Sequence, residues 1–337
     1  RKVTRFWRET GFTETSSELN IELDDSSKLT ADLVVMAIGV RPNSELASEA
    51  GLDIGQRKGI KVNAELQTSD SDIYAVGDVI EVKHLITGET TMVPLAGPAN
   101  RQGRIAADNV FDRGSTYKGS LGTSVVKVFG MTAGAAGANA AALEEAGISY
   151  HKVCIHPKSH AGYYPGAEQI SLTLYFGEDG GILGVQAIGR EGVDKRIDVI
   201  ATVMKTGGTV YDLEDLELGY APPYGSAKDP ANYAGMVAAD LLRGDTHEVY
   251  VEAIPEEATL LDVRTSGEWQ SEKPIGAAVC IPLSELRDRL NEVPQDKPVV
   301  AYCKVGLRGY LAERILCQRG YNASNLSGGI TTYKMYR

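Results

Sequence analysis

The sequence predicts a multidomain chain of mixed α/β and α+β class, on three observations. Asp32-Leu-Val-Val-Met-Ala-Ile38, closed by Gly39 and Pro42, is a continuous apolar run without alternation, the pattern of a strand covered on both faces. Between Thr123 and Ile188 the texture changes to four short β-type segments punctuated by glycine-rich turns. Beyond a polar break at Arg243-Gly-Asp-Thr-His-Glu248, strand-like and helix-like segments alternate again, which predicts a separate small α/β unit. A length of 337 residues accommodates two or three such domains.

Taken in order, the stretch 1–28 is charged and irregular and predicts two edge strands. It has no start methionine and no capped first element, so the chain is expected to be part of a longer one. The strand at 32–38 follows, then a short one at 73–76 stopped by Gly77. Ala99, Ile105, Ala106, Val110 and Phe111 recur at helical spacing and predict an amphipathic helix over 99–111. Strands are predicted at 123–129, 150–155, 170–176 and 181–188. Helices are predicted at 195–205, stopped by Gly207-Gly208, and at 231–242. In the last unit, 259–262 and 298–302 read as strands, 283–290 and 308–319 as helices, and Gly328-Gly329 opens a short final helix.

Charge and composition narrow the function classes. With 34 basic against 45 acidic side chains the formal charge is −11, which argues against nucleic acid or an anionic membrane as the main partner. The longest apolar run is about eight residues, against the roughly 20 that span a bilayer, and no basic-then-apolar leader opens the chain. Cys154, Cys280, Cys303 and Cys317 form neither a CxxC pair nor a disulfide-scaffold density, so a reducing, cytoplasmic setting is expected. His156 and His160 stand four apart, but Pro157 interrupts a helix there and no cysteine or carboxylate pattern completes a zinc site. They read as loop histidines, and no metal is expected.

The sharpest chemistry is Val299-Val-Ala-Tyr-Cys303-Lys-Val-Gly-Leu-Arg308, where an apolar strand delivers a cysteine to a short loop that leads into a helix. Backbone amides of such a turn, the helix dipole and Arg308 supply positive potential to a thiolate. The need is modest: a thiol of pKa about 8.5 is about 3% ionised at pH 7, and a shift to about 6 makes it about 90% thiolate. Cys280 and Cys317 fall in an apolar strand and an apolar helix stripe and read as packing residues. Together with Leu260-Leu-Asp262-Val-Arg264, Gly267-Glu268-Trp269, Ile275-Gly-Ala, Ile281-Pro282 and Leu326-Ser-Gly-Gly329, the cysteine loop resembles the rhodanese family over about 85 residues. The resemblance implies a persulfide on Cys303, stabilised by Arg308 and the loop Lys304, Val305, Gly306 and Leu307. Asp262, Arg264 and Glu268 are then expected to hold the fold and the loop. By the same resemblance, Cys-x4-Arg is the smaller loop that suits sulfur, where a phosphatase-like loop would have one residue more.

A second signal is Thr68-Ser-Asp-Ser-Asp-Ile-Tyr-Ala75-Val-Gly77-Asp78, a strand-like stretch with a glycine turn and a carboxylate where ligands collect in α/β sheets. With Met36-Ala-Ile-Gly39-Val-Arg-Pro42 and Pro94-Leu-Ala-Gly97-Pro-Ala-Asn100, it resembles pyridine nucleotide-disulfide oxidoreductases. That resemblance implies that Gly77 and Asp78 meet the ribityl chain of FAD and that Pro94, Leu95 and Ala96 lie by the flavin ring. The strings His160-Ala-Gly-Tyr163-Tyr164-Pro-Gly, Gly192-Val-Asp-Lys-Arg-Ile-Asp-Val and Tyr220-Ala-Pro-Pro-Tyr224-Gly-Ser-Ala-Lys-Asp229-Pro resemble the dimerisation domain of the subgroup containing coenzyme A-disulfide reductases and persulfide reductases. There, one of Tyr163 and Tyr164 and one of Tyr220 and Tyr224 is expected to serve the redox cysteine of a partner subunit as a proton donor.

The implied organisation is 1–46, tail of an NAD-binding domain; 47–118, the C-terminal part of an FAD-binding domain; 119–243, an α+β dimerisation domain; 244–254, a linker; and 255–337, a rhodanese α/β domain. The doubly wound FAD and NAD(P) domains are thus represented by a remnant, since no Gly-x-Gly-x-x-Gly occurs in the sequence. The implied parent is a homodimeric flavoprotein that uses FAD and NADH or NADPH to reduce coenzyme A disulfide or persulfide substrates, coupled to sulfur transfer at Cys303. This chain by itself is expected to manage at most the sulfur transfer, and not the redox step. The alternatives are an NADH oxidase of the same fold and a non-enzymatic dimerisation module.

Overall fold

The computed structural model describes residues 9–14, 19–23, 25–35 and 37–336. It divides into two compact units, 1–43 and 44–337, each taken by itself here. The first is an antiparallel meander of β1 (Glu9–Glu14), β2 (Leu19–Leu23) and β3 (Lys28–Ala31), in the order β1-β2-β3. The strand expected at 32–38 is not formed by its described residues. They are irregular, and Leu33, Val35 and Ile38 are about four-fifths exposed. A two-sided parallel strand needs hydrogen-bonded neighbours on both edges, and among the described residues no strand pairs with this stretch. Met36 and most of 1–18 lie outside the described residues.

The second unit opens with α1 (Glu45–Glu49) and a small core in which Leu66, Ala75, Ile80 and Val82 pack. The strand expected at 73–76 reduces to a single bridge between Gln67 and Tyr74, with Ile73 turned out. A 3-10 turn, Gly77–Val79, a two-stranded ribbon of β4 (Val82–Lys83) and β5 (Thr90–Thr91), and α2 (Ala96–Val110) follow. Helix α2 starts three residues before its apolar stripe does.

Next comes an antiparallel sheet. Its elements are β6 (Ser124–Val128), β7 (Met131–Gly137), α3 (Ala140–Glu145), β8 (His151–Ile155), β9 (Ile170–Phe176) and β10 (Ile182–Gly189), in the order β6-β7-β10-β9-β8. Helices α4 (Val193–Lys205), α5 (Val210–Asp215) and α6 (Pro230–Leu242) complete this part, and Ile197, Ile200 and Met204 of α4 bury against Leu172, Leu174 and Val185. Strand β7, Met-Thr-Ala-Gly-Ala-Ala-Gly, has too little side chain to announce itself as a strand. The packing explains the composition: a Cβ on Gly134 would stand 2.8 Å from Cγ1 of Ile197, so α4 crosses β7 where only a small residue fits.

The last part is a wholly parallel sheet. It is built from β11 (Glu248–Val249), β12 (Thr259–Asp262), α7 (Ser266–Ser271), β13 (Val279–Cys280), β14 (Val299–Tyr302), α8 (Leu307–Cys317), β15 (Ala323–Leu326) and α9 (Gly329–Met335), in the order β11-β15-β14-β12-β13. Side chains of β14 alternate in direction: Val299, Ala301 and Cys303 join Ala312, Ile315 and Leu316 of α8, while Val300 and Tyr302 join Leu326 and Ile330. Glu248 and Val249, placed in a linker by the sequence, form the edge strand of this sheet. The helix expected at 283–290 is instead a run of i→i+3 turns, such as Asp288 N–H to Glu285 carbonyl, ending in a 3-10 turn at Leu290–Glu292. Leu286 anchors that run in the core, with Leu283 and Leu290 packed half-buried against the same cluster.

The parallel sheet is tied to edge strand β8. Tyr250 Oη donates to the Lys152 carbonyl at 2.6 Å, the Cys154 amide to Ser327 Oγ at 3.2 Å, and His156 Nε2 stands 2.7 Å from Thr332 Oγ1. His156 is thus a buried loop histidine, its other nitrogen 2.9 Å from Ser171 Oγ, and burial pushes its pKa down to about 4. Among the described residues no helix is long and apolar enough to cross a membrane.

Two glycines close this arrangement. Gly328 and Gly329 both have left-handed φ, +68° and +61°, and a Cβ on Gly329 would lie 2.5 Å from the Cys303 carbonyl oxygen. Gly329→Ala is therefore expected to destabilise the chain by at least about 2 kcal/mol, combining left-handed strain with that clash, as read from the midpoint of urea unfolding.

Candidate functional site

Strand β14 ends at Tyr302, and Cys303, 1% exposed, begins the loop that α8 closes. The Gly306 amide donates to Cys303 Sγ at 3.3 Å, and Gly306 can do so because its φ of +106° turns the loop back on the sulfur. From below, the Ile330 amide donates to the Cys303 carbonyl at 2.9 Å, and the Thr331 amide and hydroxyl donate to the Lys304 carbonyl at 3.1 and 2.7 Å. The carbonyls of Cys303 and Lys304 are thereby occupied by α9, while the Gly306 amide is the loop donor that reaches the sulfur. The loop leads into the positive end of α8.

Arg308, on the first turn of α8, is clamped by Glu268 through two 2.7 Å hydrogen bonds. Glu268 has a double role. It completes the capping box of α7, accepting from the Thr265 amide at 2.9 Å, and it fixes the guanidinium by the cysteine. The Arg308 contact pushes the Glu268 carboxyl down to about 2. Glu268 first, and then the Cys303 sulfur, hold the arginine above its ordinary pKa. Beneath them Arg264, fully buried, binds both Asp262 oxygens and the Glu272 side chain and carbonyl, while Glu272 also holds Lys304 and Lys334.

Of the four candidate tyrosines, two come together: the phenols of Tyr163 and Tyr220 are 3.0 Å apart, both exposed, and that contact raises the Tyr220 pKa. Tyr164 instead packs edge-on against His160, and Tyr224 stands in solvent. Sequence reasoning missed what aligns the pair. Arg196, 1% exposed, binds both Asp229 oxygens at 3.2 and 2.7 Å and the Ser159 carbonyl at 2.8 Å, while the Ala161 amide donates to the Gly225 carbonyl at 2.9 Å. The loop bearing Tyr163 and the loop bearing Tyr220 are thus sewn to one buried guanidinium. Arg196 lies in a string that the sequence singles out, but nothing there shows that its partners are Ser159 and Asp229.

Gly77 and Asp78 form the 3-10 turn, with the Gly77 amide donating at 2.7 Å to Oε1 of Gln102, a buried residue of α2. This bond holds the exposed Asp78 carboxylate near the start of α2, where Pro94 and Ala96 are exposed and Leu95 is half-buried. A separate cavity of about 310 Å³ lies between α6 and the cysteine loop, lined by Tyr233, Met236, Glu248, Gly306, Leu307 and Asn325. Burial pushes the Glu248 carboxyl in it up to about 7. All four cysteines are free. Cys317 does not sit in purely apolar packing: its thiol donates to Glu313, and burial raises its pKa.

Comparison with known proteins matches three segments of the chain. Residues 2–103 match the pyridine nucleotide-disulphide oxidoreductases, 123–231 the dimerisation domain of the same family, and 246–336 the rhodanese-like domain. The chain is 37% identical over 207 residues to the NAD(P)H sulfur oxidoreductase (CoA-dependent) of Pyrococcus abyssi, a match covering 61% of this chain and 46% of that protein. It superposes on reduced CoADR-RHD of Bacillus anthracis with a TM-score of 0.89 at 48% identity, covering 93% of this chain and 57% of the other. Against an NAD-dependent persulfide reductase from A. fulgidus the TM-score is 0.91 at 36% identity, covering 97% and 60%. The chain spans about half the length of the curated relatives it matches.

The Arg308–Glu268 clamp has a pH signature. A carboxyl moved from 4.5 to about 2 on folding adds stability that is fully present above 4.5 and lost as the pH falls through about 2. Glu268→Gln is therefore expected to be less stable than wild type at pH 6, and the difference should shrink between pH 4.5 and 2 in urea unfolding followed against pH.

Proposed function

We propose, for a chain that belongs to the pyridine nucleotide-disulphide oxidoreductases and carries a rhodanese-like domain, that Cys303 takes up sulfane sulfur and hands it to a thiol acceptor. The observation that carries this reading is the Gly306 N–H held on Cys303 Sγ inside a loop closed by Arg308. In loading, the Cys303 thiolate attacks the outer sulfur of a thiosulfate or persulfide donor. The Sγ–S bond forms, the donor's S–S bond breaks, and the donor departs as an anion. In unloading, an acceptor thiolate attacks that outer sulfur and Cys303 leaves as thiolate, so the protein exchanges no net electrons. Gly306 and Arg308 stabilise the negative sulfur at both stages, and the loop residues Lys304, Val305 and Leu307 contribute backbone donors.

For the protein of which this chain is a part, we place the transfer within a flavin-dependent NAD(P)H reductase of coenzyme A disulfide or persulfide substrates. The similarity to a CoA-dependent NAD(P)H sulfur oxidoreductase, an NAD(P)H coenzyme A polysulfide/persulfide reductase and an NAD-dependent persulfide reductase supports this. The residues present fit one end of FAD: a carboxylate turned outward at Asp78, a glycine turn fixed to α2 by Gln102, and an open helix start at Pro94, Leu95 and Ala96. Those residues would hold the ribityl chain and the ring, and the FAD held there would carry electrons between NAD(P)H and the sulfur substrate. We assign 119–243 to homodimer formation, with Tyr163 and Tyr220 presented to a second copy as proton donors for a thiolate leaving group. The divisions at 46, 118 and 243 belong to the same proposal, with the rhodanese-like part taken from 246 because β11 pairs into its sheet. Four free cysteines support a cytoplasmic setting.

Steady-state sulfur transfer from thiosulfate to a small thiol by this chain tests the reading. Cys303→Ser is expected to lose at least about a thousandfold and Arg308→Met about a hundredfold, with Cys280→Ser unchanged. Transfer that survives in Cys303→Ser would overturn it.

A further inference from the structure

A second cysteine, far in role from Cys303, sits in a set of side chains with metal-ligand chemistry. Glu313 and Cys317 are four apart on α8 and so share one face. His247, in the segment that enters β11, reaches the same point from 66 residues away in sequence. His247 Nδ1 lies 3.1 Å and Cys317 Sγ 3.3 Å from a single oxygen, Glu313 Oε1, and the three ligand atoms are all within 4.8 Å of one another. Bonds of about 2.0–2.3 Å at a tetrahedral zinc place nitrogen, oxygen and sulfur ligands roughly 3.3–3.6 Å apart. Two of the three separations are therefore within a few tenths of an ångström of that geometry. The third can close by rotation of the His247 side chain, which is largely exposed.

Charge supplies an independent observation. The Glu313 side chain is fully buried, and among the described residues it forms no ion pair with lysine or arginine. Its hydrogen bonds are long: the Thr246 hydroxyl to Oε2 and the His247 amide to Oε1, each at 3.3 Å, besides the thiol and an imidazole that matches its charge only when protonated. An interior carboxylate is costly without a matching positive charge. A divalent cation bound to a carboxylate, a thiolate and a neutral imidazole makes a set of net charge zero. The ligand types select the ion class: one sulfur, one nitrogen and one oxygen suit borderline ions such as Zn²⁺ or Co²⁺ rather than Mg²⁺ or Ca²⁺.

We propose that His247, Glu313 and Cys317 form a three-ligand site for a borderline divalent cation of the Zn²⁺ type, with the fourth position open to water on the His247 side. On binding, the Cys317 S–H proton, now directed at Glu313, passes to solvent. The Nδ1 lone pair of His247 turns to the ion, with its proton on Nε2. The Thr246 hydroxyl and the His247 amide remain on the carboxylate and orient it. The ion pins the segment entering β11 onto α8, the helix whose first turn closes the Cys303 loop. Sulfur chemistry at Cys303 plays no part in this site, which stands or falls separately.

Titration of Co²⁺ into the reduced, chelator-stripped full chain without oxygen tests it. One equivalent is expected to give a thiolate-to-cobalt absorption band that Zn²⁺ displaces. The band should be lost in Cys317→Ser, need at least about tenfold more Co²⁺ in His247→Gln, and persist in Cys280→Ser and Cys154→Ser. His247 is exposed, so His247→Gln keeps its fold, checked by circular dichroism, even should replacement of Glu313 unfold the chain. No band, or a band that survives in Cys317→Ser, overturns the proposal.

Discussion

The close approach of α9 to the Cys303 loop is the constraint from which the rest follows. A parallel sheet offers its ligands the carboxyl ends of its strands, but a loop there has carbonyls as well as amides, and the wrong ones facing inward would repel a thiolate. Gly328 and Gly329 remove the conflict: two left-handed residues without side chains let α9 begin directly beneath the loop, where its amides and Thr331 capture the carbonyls of Cys303 and Lys304. The same helix reaches His156 through Thr332, so the loop is braced against the neighbouring antiparallel sheet as well as its own.

Two arginine–carboxylate pairs then do different work because they differ in burial. Arg308–Glu268 is about one-third exposed, so its charge stays open to solvent beside Cys303 while the capping box of α7 keeps it in place. Arg196–Asp229 is almost wholly buried and has no free charge to offer. It acts as a fixed joint that brings the Tyr163 and Tyr220 phenols together. A surface pair would leave the loops free to separate; a buried one with every donor satisfied does not.

What the sequence revealed divides along contact distance. The Cys303 loop was legible because its strand, cysteine, glycine, arginine and helix start lie within ten residues. The sequence leaves a choice of two tyrosines open at each loop, and which two phenols meet depends on Arg196 and on partners 33 and 37 positions from it. His156–Thr332 spans 176 positions and His247–Glu313 spans 66, and no local pattern encodes either. Errors had the same origin. The 32–38 run has strand composition, yet a strand exists only through its neighbours, and 283–290 has helical spacing that its turns do not propagate. Strand β7 was invisible because α4 demands side chains too small to signal a strand.

Intact-mass measurement after the reduced chain meets a persulfide donor bears most directly on whether the Cys303 loop holds a transferable sulfur. The account predicts that the wild-type chain gains the mass of one sulfur atom, that a thiol acceptor removes it, and that Cys303→Ser gains none. A wild-type chain that takes up no sulfur, or a Cys303→Ser chain that takes up as much, would contradict it.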